Sequence, residues 1–412
     1  MSIKLIKQAL AGEKLPARMW REHEMKDSYD VVIIGGGAHG LACAYYLAKN
    51  HGITNVAVME KRYIGSGGSG RNTTIVRSNY LTPEGSAFYD ESVKLYEGMS
   101  AEFDFNVMFT QRGHFTLAHN DGSVRIMRRR AEVNQVQGID SRYLERDEIR
   151  KICPHLDLSN HPRYPIQGAL YHPPGGIIRH DAVVWGYAHH ADRMGAHIHQ
   201  LTEVTDIEVT NHKVTGVHTN RGFVKTGMVL NATAGWCSII SDMAGVKLPV
   251  TTFPLQACVS EPLKPFLDVI IVSGSLHVYV SQSARGELVM GASVDPYASY
   301  SMDGSLGFTE GLAGHILELF PQLSNVRILR QWAGLCDMTP DYSPIMGFTD
   351  VEGFVVDVGW GTYGFKAVPV SGKRMAELIA TNKTPDLLAP FRPSRFAEFD
   401  LVGEKGAASV GH

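Results

Sequence analysis

Two cations stand in settings that suit anion chemistry beside a flat ligand. Lys366 closes the run GWGTYGFK (359–366), with three glycines and a threonine in eight residues. Such runs bring backbone close to a flat ligand or a phosphate, and a lysine at the end faces whatever that ligand reacts with. Arg77 lies in GRNTTIVRSNY (70–80), and a guanidinium there can grip a carboxylate through two N–H groups. The blander readings are a solvent-facing lysine at a loop end and an interdomain salt bridge for the arginine. A third group is GGGAHG (35–40), with Gly35, Gly37 and Gly40 in G-x-G-x-x-G spacing and Glu60 twenty residues beyond Gly40. Glycines so spaced let the backbone approach a pyrophosphate at a helix N-terminus, whose N–H groups are free. A carboxylate at Glu60 accepts from a ribose 2′-OH, which argues against a 2′-phosphate.

These groups need elements to hold them. DVVII (30–34) reads as a buried strand, AHGLACAYYLAKNHG (38–52) as a helix stopped by Gly52, and NVAVMEK (55–61) as a second strand. The result is a βαβ dinucleotide unit; the alternative is a tight βα turn without a ligand. The small-residue loop GSGGSG (65–70), followed by Arg71, Asn72 and Thr73, offers donors beside the nucleotide. A nicotinamide domain would continue with another regular βα unit here. Later, KTGMVLNATAGWCS (225–238) reads as a strand ending in NATAG. Residues 339–380 read as loop, strand, glycine run and helix, with Lys373 and Arg374 toward solvent and Met375, Leu378 and Ile379 as an apolar stripe. Three such pieces predict an α/β fold with a discontinuous, Rossmann-like FAD-binding domain of the glutathione-reductase type, built from 28–100, 165–245 and 335–388. Residues 101–164 and 246–334 are expected to form an antiparallel-sheet domain on the substrate side. Residues 1–27 read as an arm in which KLIKQAL makes a short amphipathic turn or two, loose or packed on a partner, and 389–412 as a C-terminal tail.

The 412 residues, 44% apolar with net charge −3, suffice for two or three domains or one large discontinuous unit with a sizeable core. Near-neutral charge gives a nucleic-acid partner no electrostatic support. No apolar run reaches the roughly 20 residues of a membrane span, and the N-terminal stretch lacks the long apolar region of a signal peptide. Five cysteines (Cys43, Cys153, Cys237, Cys258, Cys336) form no CxxC pair. They argue against a metal cluster or a disulfide framework and point to a reducing cytoplasm. His189, His190, His197 and His199 fit no common ligand spacing, so no metal is expected and a solvated helix end is the reading.

With these stretches in view, the chain resembles the glycine oxidase and sarcosine oxidase group of amine-oxidising flavoproteins, and within it the β subunits of heterotetrameric sarcosine oxidases. The likeness is carried by residues 29–61, GRNTTIVRSNY, RHDAVVWGYA (179–188), HVYVSQSARGELVMGA (277–292), LRQWAGLCDMTPDYSPI (329–345) and GWGTYGFK, and it reaches the tail GEKGAASVGH (403–412). It implies non-covalent FAD held by Gly35, Gly37, Ala38, His39, Gly40, Glu60, Arg71, Asn72, Thr73 and Ile75. Val204 would pair with the adenine through its backbone, and Gly361, Gly364 and Lys366 would line the isoalloxazine side. It also implies FMN joined through its 8α-methyl carbon to a ring nitrogen of His180. The residues alone allow a plain helix start there, with Asp181 as the cap and His172 a second histidine nearby. Arg285 and Arg330 are candidate partners for the FMN phosphate. The implied partners are a large α chain with a folate-active module and small γ and δ chains.

The implied reaction is oxidative demethylation of sarcosine or a close N-methyl amino acid. Arg77 and Lys366 would hold the carboxylate, with Tyr279 as a wall or hydrogen-bond donor; His277 is a second candidate, placed by strand alternation on the same face. The neutral amine is the reactive form, so the site must favour deprotonation by desolvation and nearby positive charge. Electrons would pass from FAD to FMN and O2, and the carbon would leave as formaldehyde or pass to tetrahydrofolate on a partner subunit. Two departures sit beside the reaction centre. Tyr363 stands where the pattern GTGGFK has glycine, and KAVPVSG differs from K-x-T-P-G. They leave dimethylglycine, other N-methyl amino acids and proline open. Two further readings are a single-flavin amino-acid dehydrogenase or oxidase with His180 unmodified, and a flavin-fold scaffold subunit without catalysis.

Overall fold

The computed structural model describes residue 7, residues 10–11 and residues 18–404. Most of KLIKQAL and all of 405–412 lie outside the described residues. Val31–Ile34 forms β1, with all four side chains buried, as β-branched residues in a strand covered on both faces require. Helix α1 (Ala38–His51) ends at Gly52, whose φ of +67° no side chain adopts cheaply. Strand β2 (Val56–Glu60) lies parallel to β1. The sheet runs in the order 345–348, 354–358, 229–231, β1, β2, 197–200. All pairs are parallel except the first. Helix Val368–Thr381 crosses α1 closely; a Cβ on Gly372 would stand 2.4 Å from the Ala42 side chain. Its Lys373 and Arg374 both reach Glu91 of helix α2 (Pro83–Glu102), while Met375, Leu378 and Ile379 are buried.

The second sheet has eight strands in the order 328–338, 251–262, 287–294, 278–282, 270–273, 114–118, 168–172, 142–145. Two boundaries expected from sequence need correction. Strand Gly168–His172 pairs with both 114–118 and 142–145, so it belongs to this sheet although it follows residue 165. Strand Ile328–Met338 runs unbroken past 335 against 251–262. Strand ladders fix these limits, and alternation within one short strand does not reveal its sheet.

Two residues of the arm reach the body of the protein: Arg21 and His23 both meet the buried carboxylate of Asp192, and His23 stacks on His197 at 4.0 Å. The histidines considered for a metal turn to other partners: His189 to Met19 O, His190 to Phe103 O, and His197 and His199 to the Tyr29 hydroxyl. Among the described residues no group of three His, Cys, Asp or Glu is placed to hold a metal, and no helix is long and apolar enough to cross a membrane. All five cysteines are buried as free thiols.

Candidate active site

A cavity of about 520 Å³ is lined by residues of both large sheets. Strand β1 delivers the glycine turn to its wall. Gly35 has φ +111°, and a Cβ there would stand 2.5 Å from Ala232 O, so only glycine fits between β1 and strand 229–231. Glu60 ends β2, its carboxylate fixed by the N–H groups of Gly36 (3.0 Å) and Arg62 (2.9 Å), and it faces the cavity. Gly37, Ala38, His39 and Val204 also line the cavity. Gly40 does not: a Cβ there would meet Gly35 O at 2.2 Å, so its role is close helix–strand packing.

The loop 65–74 departs from expectation. Arg71 and Asn72 line the cavity with Thr73 and Ile75, but their side chains first serve the loop itself. Arg71 bonds Ser66 O and Gly67 O; Asn72 bonds Ser69 O and accepts from Thr74 N at 2.7 Å. The N–H of Ala38 likewise donates to Ser69 Oγ at 2.9 Å. The carbonyl of Arg71 accepts from Trp332 Nε1 at 2.8 Å, tying this loop to the second sheet.

His39 links the two glycine motifs. Its Nδ1 lies 3.1 Å from Asp357 Oδ2 and its Nε2 2.9 Å from Gly364 O. Two acceptors need both ring protons. Burial favours the neutral ring, yet the Asp357 carboxylate outweighs it and holds the pKa above its ordinary value. Asp357 also accepts from Trp360 Nε1 and Ser371 Oγ. Asp337, in the cavity wall, receives Gly359 N at 2.6 Å, and burial pushes its pKa up to about 6.

The loop 359–366 bends through Gly359 and Gly361, both at positive φ. Helix α2 grips its end from behind: Ser92 Oγ donates to Lys366 O at 2.6 Å and Tyr96 OH to Phe365 O at 2.5 Å. Lys366 is 9% exposed and Arg77 7%. Burial, then the neighbouring Arg77, holds the Lys366 ammonium well below its usual pKa. Arg77 reaches Asn79 Oδ1 at 2.9 Å and lies 4.4 Å over the Tyr80 ring. Tyr279 and Tyr363 complete the wall. Gly291 clears room for Tyr279, since a Cβ would stand 2.0 Å from its hydroxyl. The Tyr363 ring packs by Tyr80 and Tyr89, and its buried hydroxyl has no hydrogen-bond partner among the described residues.

His277 is corrected: it sits at φ +51° in the turn before strand 278–282, so alternation does not pair it with Tyr279. His180 opens the helix His180–Arg193, half-buried and outside the cavity. Asp181 caps no further N–H than that of Ala182 and otherwise pairs with Arg179, so it is not the N-cap. His172 is a buried strand residue held by Asp140 O. Ile177, three residues before His180, pairs with the cavity residue Ile75. Arg285 and Arg330 lie exposed on the second sheet, Arg285 beside Glu287, and no described contact brings either to His180.

Sequence reasoning missed several wall residues. Thr233 lies within NATAG (231–235) and Trp236 directly after it, and Lys61 stacks over Trp236 at 4.1 Å; the small-residue break after a strand was the available signal. His114 gave none. It is buried beside Arg77 and Lys366, and burial and these cations hold it neutral.

The glycine clearance at Gly35, the fixed Glu60 carboxylate and the lining that continues to the 359–366 loop fit a bound dinucleotide flavin. Residues 30–378 match the family model described as FAD dependent oxidoreductase. A sarcosine oxidase subunit beta of Arthrobacter sp is 45% identical over 397 residues, covering 96% of this chain and 98% of that protein. One from Rhizobium meliloti (strain 1021) is 46% identical over 405 residues, with 98% and 97% covered. The crystal structure of L-proline dehydrogenase from P. horikoshii superposes with a TM-score of 0.85 at 30% identity, covering 92% of this chain and all of that one.

Proposed function

Since the chain belongs to the FAD-dependent oxidoreductase family, in the branch of the sarcosine oxidase β subunits, we propose that it demethylates sarcosine or a close N-methyl amino acid as the FAD-bearing subunit of a larger complex. The observation that carries this is the buried pair Arg77 and Lys366 in the lining of the flavin cavity. A substrate carboxylate between them offsets two like charges and favours the protonated form of Lys366. With the carboxylate held there, burial and the same cations favour the neutral amine, whose lone pair is needed as the C–H bond breaks. FAD, when bound, supplies the two-electron acceptor. The residues hold the carboxylate, exclude water and fix the amine's direction. Hydride loss from the N-methyl carbon leaves an iminium. Water converts it to formaldehyde and glycine, or the carbon passes to tetrahydrofolate on a partner subunit.

His180 would hold a covalent FMN, which supplies a separate place for O2 reduction. Burial, against the opposing Asp181 carboxylate, lowers its pKa and favours the neutral imidazole, and no described hydrogen bond commits either ring nitrogen. The expected partners are an α chain with a folate module and γ and δ chains, consistent with the word subunit in the names of both relatives. A second reading, oxidation of a cyclic or bulkier secondary amine, is favoured by the Tyr363 ring in the wall and by the proline dehydrogenase likeness.

Anaerobic titration with sarcosine, dimethylglycine and L-proline, followed by loss of the FAD absorbance, tests this. Sarcosine is expected to bleach the flavin at the lowest concentration, and Lys366→Met to need roughly tenfold more or worse, as for a lost charged hydrogen bond. Bleaching first by L-proline selects the second reading. No bleaching by any of the three overturns both.

A further inference from the structure

We infer that Glu404, in the C-terminal segment, is a positioning residue that sets the spacing of Arg77 and Lys366. This rests on the carboxylate-holding reading of those two cations. Glu404 is 2% exposed. Its Oε1 accepts from Leu81 N at 3.1 Å, and its Oε2 from Thr82 N at 3.0 Å and Thr82 Oγ1 at 2.7 Å. Thr82 is the N-cap of α2 and accepts from Gly85 N at 3.0 Å. Position 85 must be glycine for the carboxylate to come this near, since a Cβ there would stand 2.6 Å from Glu404 Oε2. A buried carboxylate at a helix N-terminus gains from the helix dipole and from three donors.

Both cations depend on what this carboxylate holds. The strap 77–82 runs from Arg77 directly into the clamped N–H groups. Helix α2, which starts at the clamp, holds Lys366 O and Phe365 O through Ser92 and Tyr96. The other end of the clamp is anchored to the segment that cradles the Lys366 loop. Val402 N donates to Asp341 Oδ2 at 3.2 Å, and Ser343 Oγ donates to Val402 O at 2.5 Å. Arg395, fully buried, donates to both Asp341 oxygens and to Ser343 O. The same segment, at Asp337, receives the N–H groups of Gly359 and Gly361. A single tail carboxylate therefore closes a ring of contacts that runs through both cation-bearing stretches. Two donors that must meet one carboxylate tolerate little error in spacing, and a 1 Å misplacement is costly.

The test uses the FAD-loaded protein in its native assembly, with acetate as a bare carboxylate probe read by perturbation of the flavin spectrum. Glu404→Gln keeps size and shape but weakens the three hydrogen bonds. It is expected to raise the acetate Kd and the KM for amine by about tenfold, with kcat changed less and FAD content unchanged, the size expected for charged hydrogen bonds. Glu404→Asp, shorter but still charged, should fall between, and it serves if the glutamine variant does not fold. A merely structural role would lower the melting temperature with the acetate Kd unmoved, and that result overturns the inference. Arg77→Met separates the two levels. If it leaves the acetate Kd unchanged, the carboxylate site itself is wrong; if it abolishes binding while both Glu404 variants bind as wild type, only the clamp fails.

Discussion

Lys366 and Arg77 bring like charge into one buried cavity, and the cost shows in the lysine. Burial and the guanidinium move its pKa down from the ordinary 10.5. The protonated ammonium is the form that holds a carboxylate, and that form is lost as pH rises through the lowered pKa. Carboxylate affinity should therefore fall with rising pH at values below the usual lysine range. An arginine stays charged above pH 12, so Lys366→Arg is expected to flatten the profile whatever it does to absolute affinity. Acetate titrations from pH 7 to 10 measure this; a wild-type profile flat through pH 10 would remove Lys366 from the anion site. At the same scale, Tyr363 shows why a residue's type was readable and its role was not. A ring was visible in the string, but its packing on Tyr80 and Tyr89 joins residues about 280 positions apart.

The glycine turn after β1 works through clearance. Gly35 faces the Ala232 carbonyl at a φ that side chains avoid, so Gly35→Ala combines backbone strain with a clash. The expected outcome is loss of flavin, with colourless protein after gel filtration, and a stability loss of roughly 1–3 kcal/mol; retention of a full complement of FAD would show that the turn relaxes. This βαβ unit was legible because every contact that defines it is local: strand, turn, helix and acid follow within about thirty residues. The loop 65–74 was less so. Arg71 and Asn72 look like ligand donors by type, but a small-residue loop has many carbonyls to satisfy, and the nearest donors satisfy them.

On the scale of the whole molecule, His180 opens the helix His180–Arg193 outside the cavity lining, so a flavin joined to it would occupy a second place. Acid precipitation of the purified complex should give a yellow pellet, with FMN-sized added mass on the peptide bearing His180 and FAD in the supernatant. A white pellet releasing only FAD would leave a single-flavin enzyme.

The sequence by itself determined the α/β class, the dinucleotide motif with Glu60, the two cations and the family to which the chain belongs, because these rest on residue type at short, fixed spacing. Only the tertiary structure decided the rest. It moved strand 168–172 into the second sheet, took Gly40 and His277 out of the site, and brought His114 in. It turned the C-terminal segment from a tail into a buried anchor through Arg395 and Glu404. The physical reason is the same in each case. These roles are set by hydrogen bonds and packing between segments tens to hundreds of residues apart, and no local period or spacing encodes which distant partner a buried polar group will find.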